Sequence, residues 1–117
     1  MEPCDSFADY MGGKLAGWCQ TRYMPRLANY RGRLAEIPFD FHELLGALAP
    51  RPVFVNAPLR DANFRGQSVD NILKAASAVY RLYGVPQNLV VEHPDCEHDF
   101  PPEAREVAYR FIQDHLR

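Results

Sequence analysis

Two short apolar runs, Val53 to Ala57 and Leu89 to Glu92, constrain this chain most, because the stretch between them carries the periodicity of a single amphipathic helix. Val69, Ile72, Leu73, Ala76, Val79, Tyr80 and Tyr83 recur at three- and four-residue spacing, which is one buried helical stripe. Ser68 reads as its N-cap, and Gly84 and Pro86 close it in the expected order. A connection this long cannot be a hairpin, so the simplest arrangement is a right-handed parallel βαβ unit with strands at about 53–57 and 89–92. Parallel strands send their carboxyl ends to one rim of the sheet, where open α/β sheets place their sites.

The flanking elements follow from local signals. Asp40 with Glu43 three residues on has the logic of a capping box, and Phe41, Leu44, Leu45 and Leu48 give the following helix an apolar face that Pro50 and Pro52 end. Pro102 opens a last helix with Ala104, Val107, Ala108, Phe111 and Ile112 in one stripe. Gly12, Gly13, Gly17, Pro25, Gly32 and Pro38 punctuate the first forty residues into short helical pieces and loops. Two strands are too few for a parallel sheet that needs cover on both faces. Further sheet is expected from unrecognised strands in the first forty residues, from another copy or partner, or from a longer polypeptide. By the same reasoning the chain alone is expected to be oligomeric, sticky or partly molten.

Composition excludes several function classes. A chain of 117 residues, 47% hydrophobic and 24% charged, has material for one small core and is not disordered. Its formal net charge of -2 and scattered basic residues give no field for nucleic acid or an anionic membrane. Cys4, Cys19 and Cys96 are odd in number and irregular in spacing, which favours free thiols over a disulfide framework. The opening Met1-Glu2-Pro3-Cys4-Asp5 lacks the basic start and apolar run of a signal peptide, and no stretch approaches the roughly 20 apolar residues that span a bilayer.

Chemistry gathers at the shared rim. Asp61 lies a few residues past the first strand and His98 a few past the second, so the parallel arrangement makes them neighbours in space. A carboxylate on one ring nitrogen would fix the tautomer of a general base acting from the other. Taken without His98, Asp61 reads first as a turn former, and its place after a strand is what turns the reading toward a site. Asp95 and Asp99 also lie near His98, although acids so close in sequence more often cap the adjoining turn. His93, Asp95, Cys96 and His98 form an H-x-D-C-x-H cluster with zinc-ligand donor types, a rival reading that needs help from a distant element. Cys96 otherwise reads as a small buried residue and His93 as a loop histidine bonded to backbone. His42 is expected in a satisfied packing role and His115 at a helix end. Trp18, Tyr23 and Tyr30 are left as packing residues.

The run Arg51-Pro52-Val53-Phe54-Val55-Asn56-Ala57-Pro58-Leu59-Arg60-Asp61-Ala62-Asn63-Phe64, followed by His93-Pro94-Asp95-Cys96-Glu97-His98-Asp99-Phe100-Pro101, resembles the last part of bacterial α/β-hydrolases of the dienelactone hydrolase and acetyl-xylan-esterase-like group. Trp18 to Pro25 and Pro38 to Glu43 are similar to the lid-side and penultimate-helix regions of the same proteins. The resemblance covers nearly the whole chain. It implies one partial α/β-hydrolase domain over 1–117, with 1–38 as a lid-side connecting region and 39–117 as the last two strands and their helices. In that family the triad runs nucleophile, acid, histidine, which gives Asp61 the acid position and His98 the base position.

The nucleophile belongs on a GxSxG elbow, and the chain has none. Ser6, Ser68 and Ser77 are its only serines, and none follows a strand between glycines. Met1 is expected just after the family's sixth strand, so both oxyanion-hole amides lie outside this sequence as well. One such donor is worth about 100- to 1000-fold in turnover. The chain is therefore expected to be inactive alone, with a small-molecule ester as substrate only in the complete enzyme. No cofactor or metal is implied, and no nucleic-acid or membrane partner. The alternatives are a binding or oligomerisation module of hydrolase descent, as a homo-oligomer or paired with an amino-terminal part, and a metal-binding protein built on the His93–His98 loop.

Overall fold

A computed structural model describes residues 20–117. Helix α1 (Phe41–Leu48), strand β1 (Val53–Asn56), helix α2 (Gly66–Leu82), strand β2 (Leu89–Glu92) and helix α3 (Pro102–His115) follow in that order, after two single turns of 3-10 helix at Leu27–Tyr30 and Leu34–Glu36. The strands pair in parallel, Val53 opposite Leu89 and Asn56 opposite Glu92, with α2 as the crossover. Among the described residues the sheet has these two strands alone. Residues 20–40 form turns and add no strand to it, so within that segment the expectation of hidden strands fails. Cys4, Ser6, Trp18 and Cys19 lie outside the described residues.

Local chemistry explains the element ends. The Asp40 carboxylate accepts from the Phe41 amide at 2.6 Å and the Glu43 carboxylate accepts from the Asp40 amide at 2.8 Å, so donors of the first turn of α1 are bonded. At the other end of α2, Gly84 takes φ +72°, its amide reaches the Arg81 carbonyl, and the Val85 amide reaches the Tyr80 carbonyl. That pair of bonds is a Schellman closure, and a side chain at position 84 would strain it. The start of α2 differs from the sequence reading. Its N-cap is Arg65, without a side-chain cap bond, and Ser68 lies buried in the first turn. The helix begins three residues earlier than a cap at Ser68 allows, and that serine is buried.

The core is narrow. Ile72, Leu73, Ala76 and Tyr80 of α2 and Ala104 and Ala108 of α3 are buried. Tyr80 is fully buried, and its hydroxyl donates to the Arg51 carbonyl at 2.9 Å, while the Asn88 amide donates to the Pro50 carbonyl at 2.8 Å. These two bonds pin the far end of the crossover to the chain entering β1. Phe111 of α3 meets Phe54 of β1 with ring centroids 5.9 Å apart. A third cluster packs Tyr30, Leu34, Ile37, Phe41 and Phe64 around Leu27, which ties the 3-10 turns to the loop after β1.

Cover is incomplete. Every residue of both strands is only half-buried, and Leu44, Leu48, Val107 and Ile112, read as core positions, are exposed. A parallel sheet is ordinarily buried on both faces. No helix among the described residues is long and apolar enough to cross a membrane.

Candidate functional site

The ladder between the strands does not stop where the strands do. The Ala57 amide donates to the Glu92 carbonyl at 2.9 Å, the Leu59 amide to the Pro94 carbonyl at 3.0 Å, and the Arg60 amide to the Cys96 carbonyl at 3.1 Å. The two loops leaving the carboxyl rim therefore travel side by side. Asp61 and His98 meet at the end of that path, with His98 Nδ1 2.8 Å from Asp61 Oδ2 across 37 residues of sequence.

Asp61 is built to hold a charge. Its side chain is 4% exposed, and its second oxygen, Oδ1, accepts from the backbone amides of Asn63 at 2.7 Å and Phe64 at 3.2 Å. Burial by itself pushes this carboxyl up, but the His98 hydrogen bond and the two amides outweigh it and hold the group below its ordinary value. One oxygen of Asp61 thus caps the turn at Asn63 and Phe64, and the other meets the His98 ring. An ionised carboxylate only accepts, so Nδ1 is the ring nitrogen that carries the proton. Among the described residues the other nitrogen, Nε2, has no hydrogen-bond partner, and the His98 side chain is 60% exposed. Phe64 stacks beside the imidazole with centroids 6.2 Å apart and planes 23° from parallel.

The pair opens on a cleft of about 540 Å³ that Asp61, His98, Asn56 and Asp99 share with Val55, Phe64, Val69 and Phe100. Such a cleft offers an apolar wall on one side and a base on the other, the combination small-molecule sites use. Ser68 and Ser77 belong to α2 and are not among the residues that line the cleft, and the Ser77 hydroxyl donates to the Lys74 carbonyl at 2.8 Å. Among the described residues neither is hydrogen-bonded to His98.

The neighbouring polar residues are distributed differently from the zinc alternative. His93 sets Nδ1 against the Ala57 carbonyl at 2.8 Å and Nε2 against Asp70 Oδ1 at 3.0 Å. Asp95 pairs with Arg60, whose Nε reaches Oδ1 at 2.8 Å and whose terminal nitrogen reaches the Asp95 carbonyl at 3.0 Å. His98 belongs to Asp61. Three of the four prospective ligands thus face separate partners, and among the described residues no three His, Cys, Asp or Glu converge on a metal-sized point. Asp95, the weaker candidate for the acid, pairs with Arg60 and not with His98. Cys96 is half-buried rather than buried, and burial together with the Asp99 carboxylate pushes its thiol up, away from the reactive thiolate. His42 departs from its expected role, because among the described residues its buried Nδ1 finds no hydrogen-bond partner. His115 closes α3 on the Phe111 carbonyl at 2.7 Å.

Sequence reading missed three residues at this rim: Asn56, whose side-chain amide donates to the Asp99 carbonyl at 2.9 Å, Arg60, and Asp70. A signal existed for the first two. A polar amide ending an apolar strand is unusual, and continuing the register from Asn56 opposite Glu92 by three or four residues brings Arg60 beside Asp95.

Comparison with known proteins bears on this geometry. A family model described as glucuronyl esterase, fungi, matches residues 14–84, more than half of the chain. That span includes β1, Asp61 and α2 and ends before β2 and His98. No curated protein and no solved structure matches the chain. The dienelactone hydrolase and acetyl-xylan-esterase likeness is thereby narrowed to what those enzymes share with the matched family, carboxylic ester hydrolysis. With a small α/β fold, a carboxylate and an imidazole joined at its rim, and a match over most of that unit, the chain belongs to the glucuronyl esterase family, serine esterases of α/β-hydrolase type.

Proposed function

We propose that this chain supplies the acid, Asp61, and the base, His98, of a serine carboxylic-ester hydrolase, with glucuronyl esters as the substrate class the family name indicates. The observation that carries the reading is the 2.8 Å contact from a buried, doubly capped carboxylate to an imidazole whose Nε2 is free beside a cleft. In such a site Nε2 takes the proton as a serine oxygen attacks the acyl carbon, and the imidazolium then returns it to the departing alcohol. Asp61 keeps Nδ1 protonated throughout and offsets the charge that forms on the ring.

The serine and the oxyanion-hole amides come from polypeptide not in this sequence, because no GxSxG is present. In this reading the chain is the carboxyl-terminal part of the domain, residues 1–38 form the lid-side connection, and the half-covered strands are the surface on which a nucleophile-bearing part, or another copy, docks.

Hydrolysis of benzyl glucuronate tests the proposal. The chain alone is expected to be inert. Mixed with or joined to a family amino-terminal half that bears the GxSxG serine, it is expected to hydrolyse the ester, and His98→Ala is expected to abolish that activity. Esterase activity of the 117-residue chain alone that survives His98→Ala sinks the assignment.

A further inference from the structure

The loop carrying His98 is gripped on both sides by the loop carrying Asp61. Before His98, Arg60 takes the Asp95 carboxylate with Nε at 2.8 Å and the Asp95 carbonyl with its terminal nitrogen at 3.0 Å. After it, the Asn56 side-chain amide donates to the Asp99 carbonyl at 2.9 Å. Asn56 is the last residue of β1, and Arg60 immediately precedes Asp61. Both residues therefore reach from the acid's side of the rim to the base's side, and they enclose the imidazole between two fixed points of backbone.

The two grips differ in kind. The Arg60 and Asp95 side chains are 61% and 78% exposed, so their Coulomb attraction is screened and small. What the guanidinium adds is shape, because a planar fork that bonds a carboxylate and a carbonyl of one residue allows that residue few orientations. Asn56 lines the cleft, and among the described residues its one side-chain hydrogen bond is the bond to Asp99. The Asn56 side chain thus engages the loop beyond His98 through the donor end of its amide.

We propose that Asn56 and Arg60 are positioning residues for the base, holding the loop from Asp95 to Asp99 so that the His98 Nδ1 proton stays on Asp61. This rests on the reading of Asp61 and His98 as acid and base. Neither residue touches the reacting atoms. They act through the loop, and losing either lets the imidazole leave the carboxylate more often without unfolding the domain.

The measurement is the solvent-exchange rate of the His98 Nδ1 proton, followed by nuclear magnetic resonance on the whole chain with isotope-labelled histidine. Asp61→Asn sets the reference, since removing the carboxylate is expected to erase the protected proton. Asn56→Leu and Asn56→Ala are each expected to speed its exchange about threefold to tenfold, the factor that one net hydrogen bond governs. Arg60→Lys is expected to resemble Arg60→Gln, because it keeps the charge and loses the fork. A protected proton that exchanges at the unaltered rate in the Asn56 variants, or in both Arg60 variants, overturns the role of the residue concerned. A chain with no proton that depends on Asp61 overturns the acid and base assignment itself, a failure distinct from the former.

Discussion

The rim carries two imidazole–carboxylate pairs, and their burial is inverted. In the pair of His98 and Asp61 the acid is 4% exposed and the ring 60% exposed, whereas in that of His93 and Asp70 the ring is 29% exposed and the acid 52%. His93 spends both nitrogens on oxygen atoms, one on the Ala57 carbonyl after β1 and one on α2. His98 spends one. A buried carboxylate with each oxygen bonded is an orienting device, and an open ring with a spare nitrogen is an accessible one. The same two residue types therefore make a brace in one place and a candidate base in the other, and the number of free ring nitrogens separates the roles.

The largest effect that would break this comparison is on turnover. In the hydrolase completed by its serine, Asp61→Asn is expected to lower kcat by about 10⁴-fold, the scale of a base left in the wrong tautomer. Asp70→Asn is expected to leave kcat within about threefold. Equal losses in the two variants would show that the pairs do the same work, and side-by-side kinetics on one ester decide it.

Much of this contrast was legible in the sequence, and the part that was not has a physical cause. Strand ends and helix stripes are short-range signals, so β1, β2 and the convergence of Asp61 and His98 followed from periodicity and the rule that parallel strands share a rim. The Asp40 and Glu43 cap is local and reads directly. The bonds between Arg60 and Asp95, and between Asn56 and Asp99, join residues 35 and 43 apart, so they become readable only once the pairing register of the two strands is known. Ser68 misled for the opposite reason. A good capping residue two positions inside a helix looks like its start, and burial rather than propensity explains its place. Leu44 and Val107 show a third limit, since periodicity finds an apolar face and says nothing of whether the described residues cover it.

The second prediction concerns the brace. His93→Ala removes a half-buried ring that joins the end of β1, the start of the β2 loop and α2, and it is expected to cost about 1–3 kcal/mol in urea unfolding. The protected His98 Nδ1 proton should persist in the folded fraction. Its loss would mean that the two pairs are one network, and the comparison would have to be given up.

Acid sharpens the same distinction. Asp61 titrates below its ordinary 3.8 in the folded chain, so the unfolded chain binds that proton first as pH falls. Its stabilising contribution is thus complete above 3.8 and is lost as the pH drops through the lower, folded value. The urea midpoint of the unaltered chain is expected to fall more steeply between about pH 4 and pH 2 than that of Asp61→Asn. Parallel curves for the two proteins would remove the buried carboxylate from the account of the site.

The smallest effect is the most diagnostic of why Asp70 differs from Asp61. Asp70 is half-exposed, and among the described residues its one ion-pair partner is a histidine, charged only when protonated, so in acid solution a pair of this kind is worth about 0.2–1 kcal/mol at low salt and less when salt screens it. Asp70→Ala is expected to lower unfolding stability by no more than that, and the deficit should shrink between about 0.05 M and 0.5 M sodium chloride as the Debye length shortens. Asp61→Ala is expected to keep its deficit over the same range, because what it loses is two backbone amides and a ring nitrogen left without their acceptor, and ions in solution do not substitute for a buried acceptor. Salt sensitivity at Asp61 equal to that at Asp70 would place both carboxylates in solvent and dissolve the distinction between brace and base.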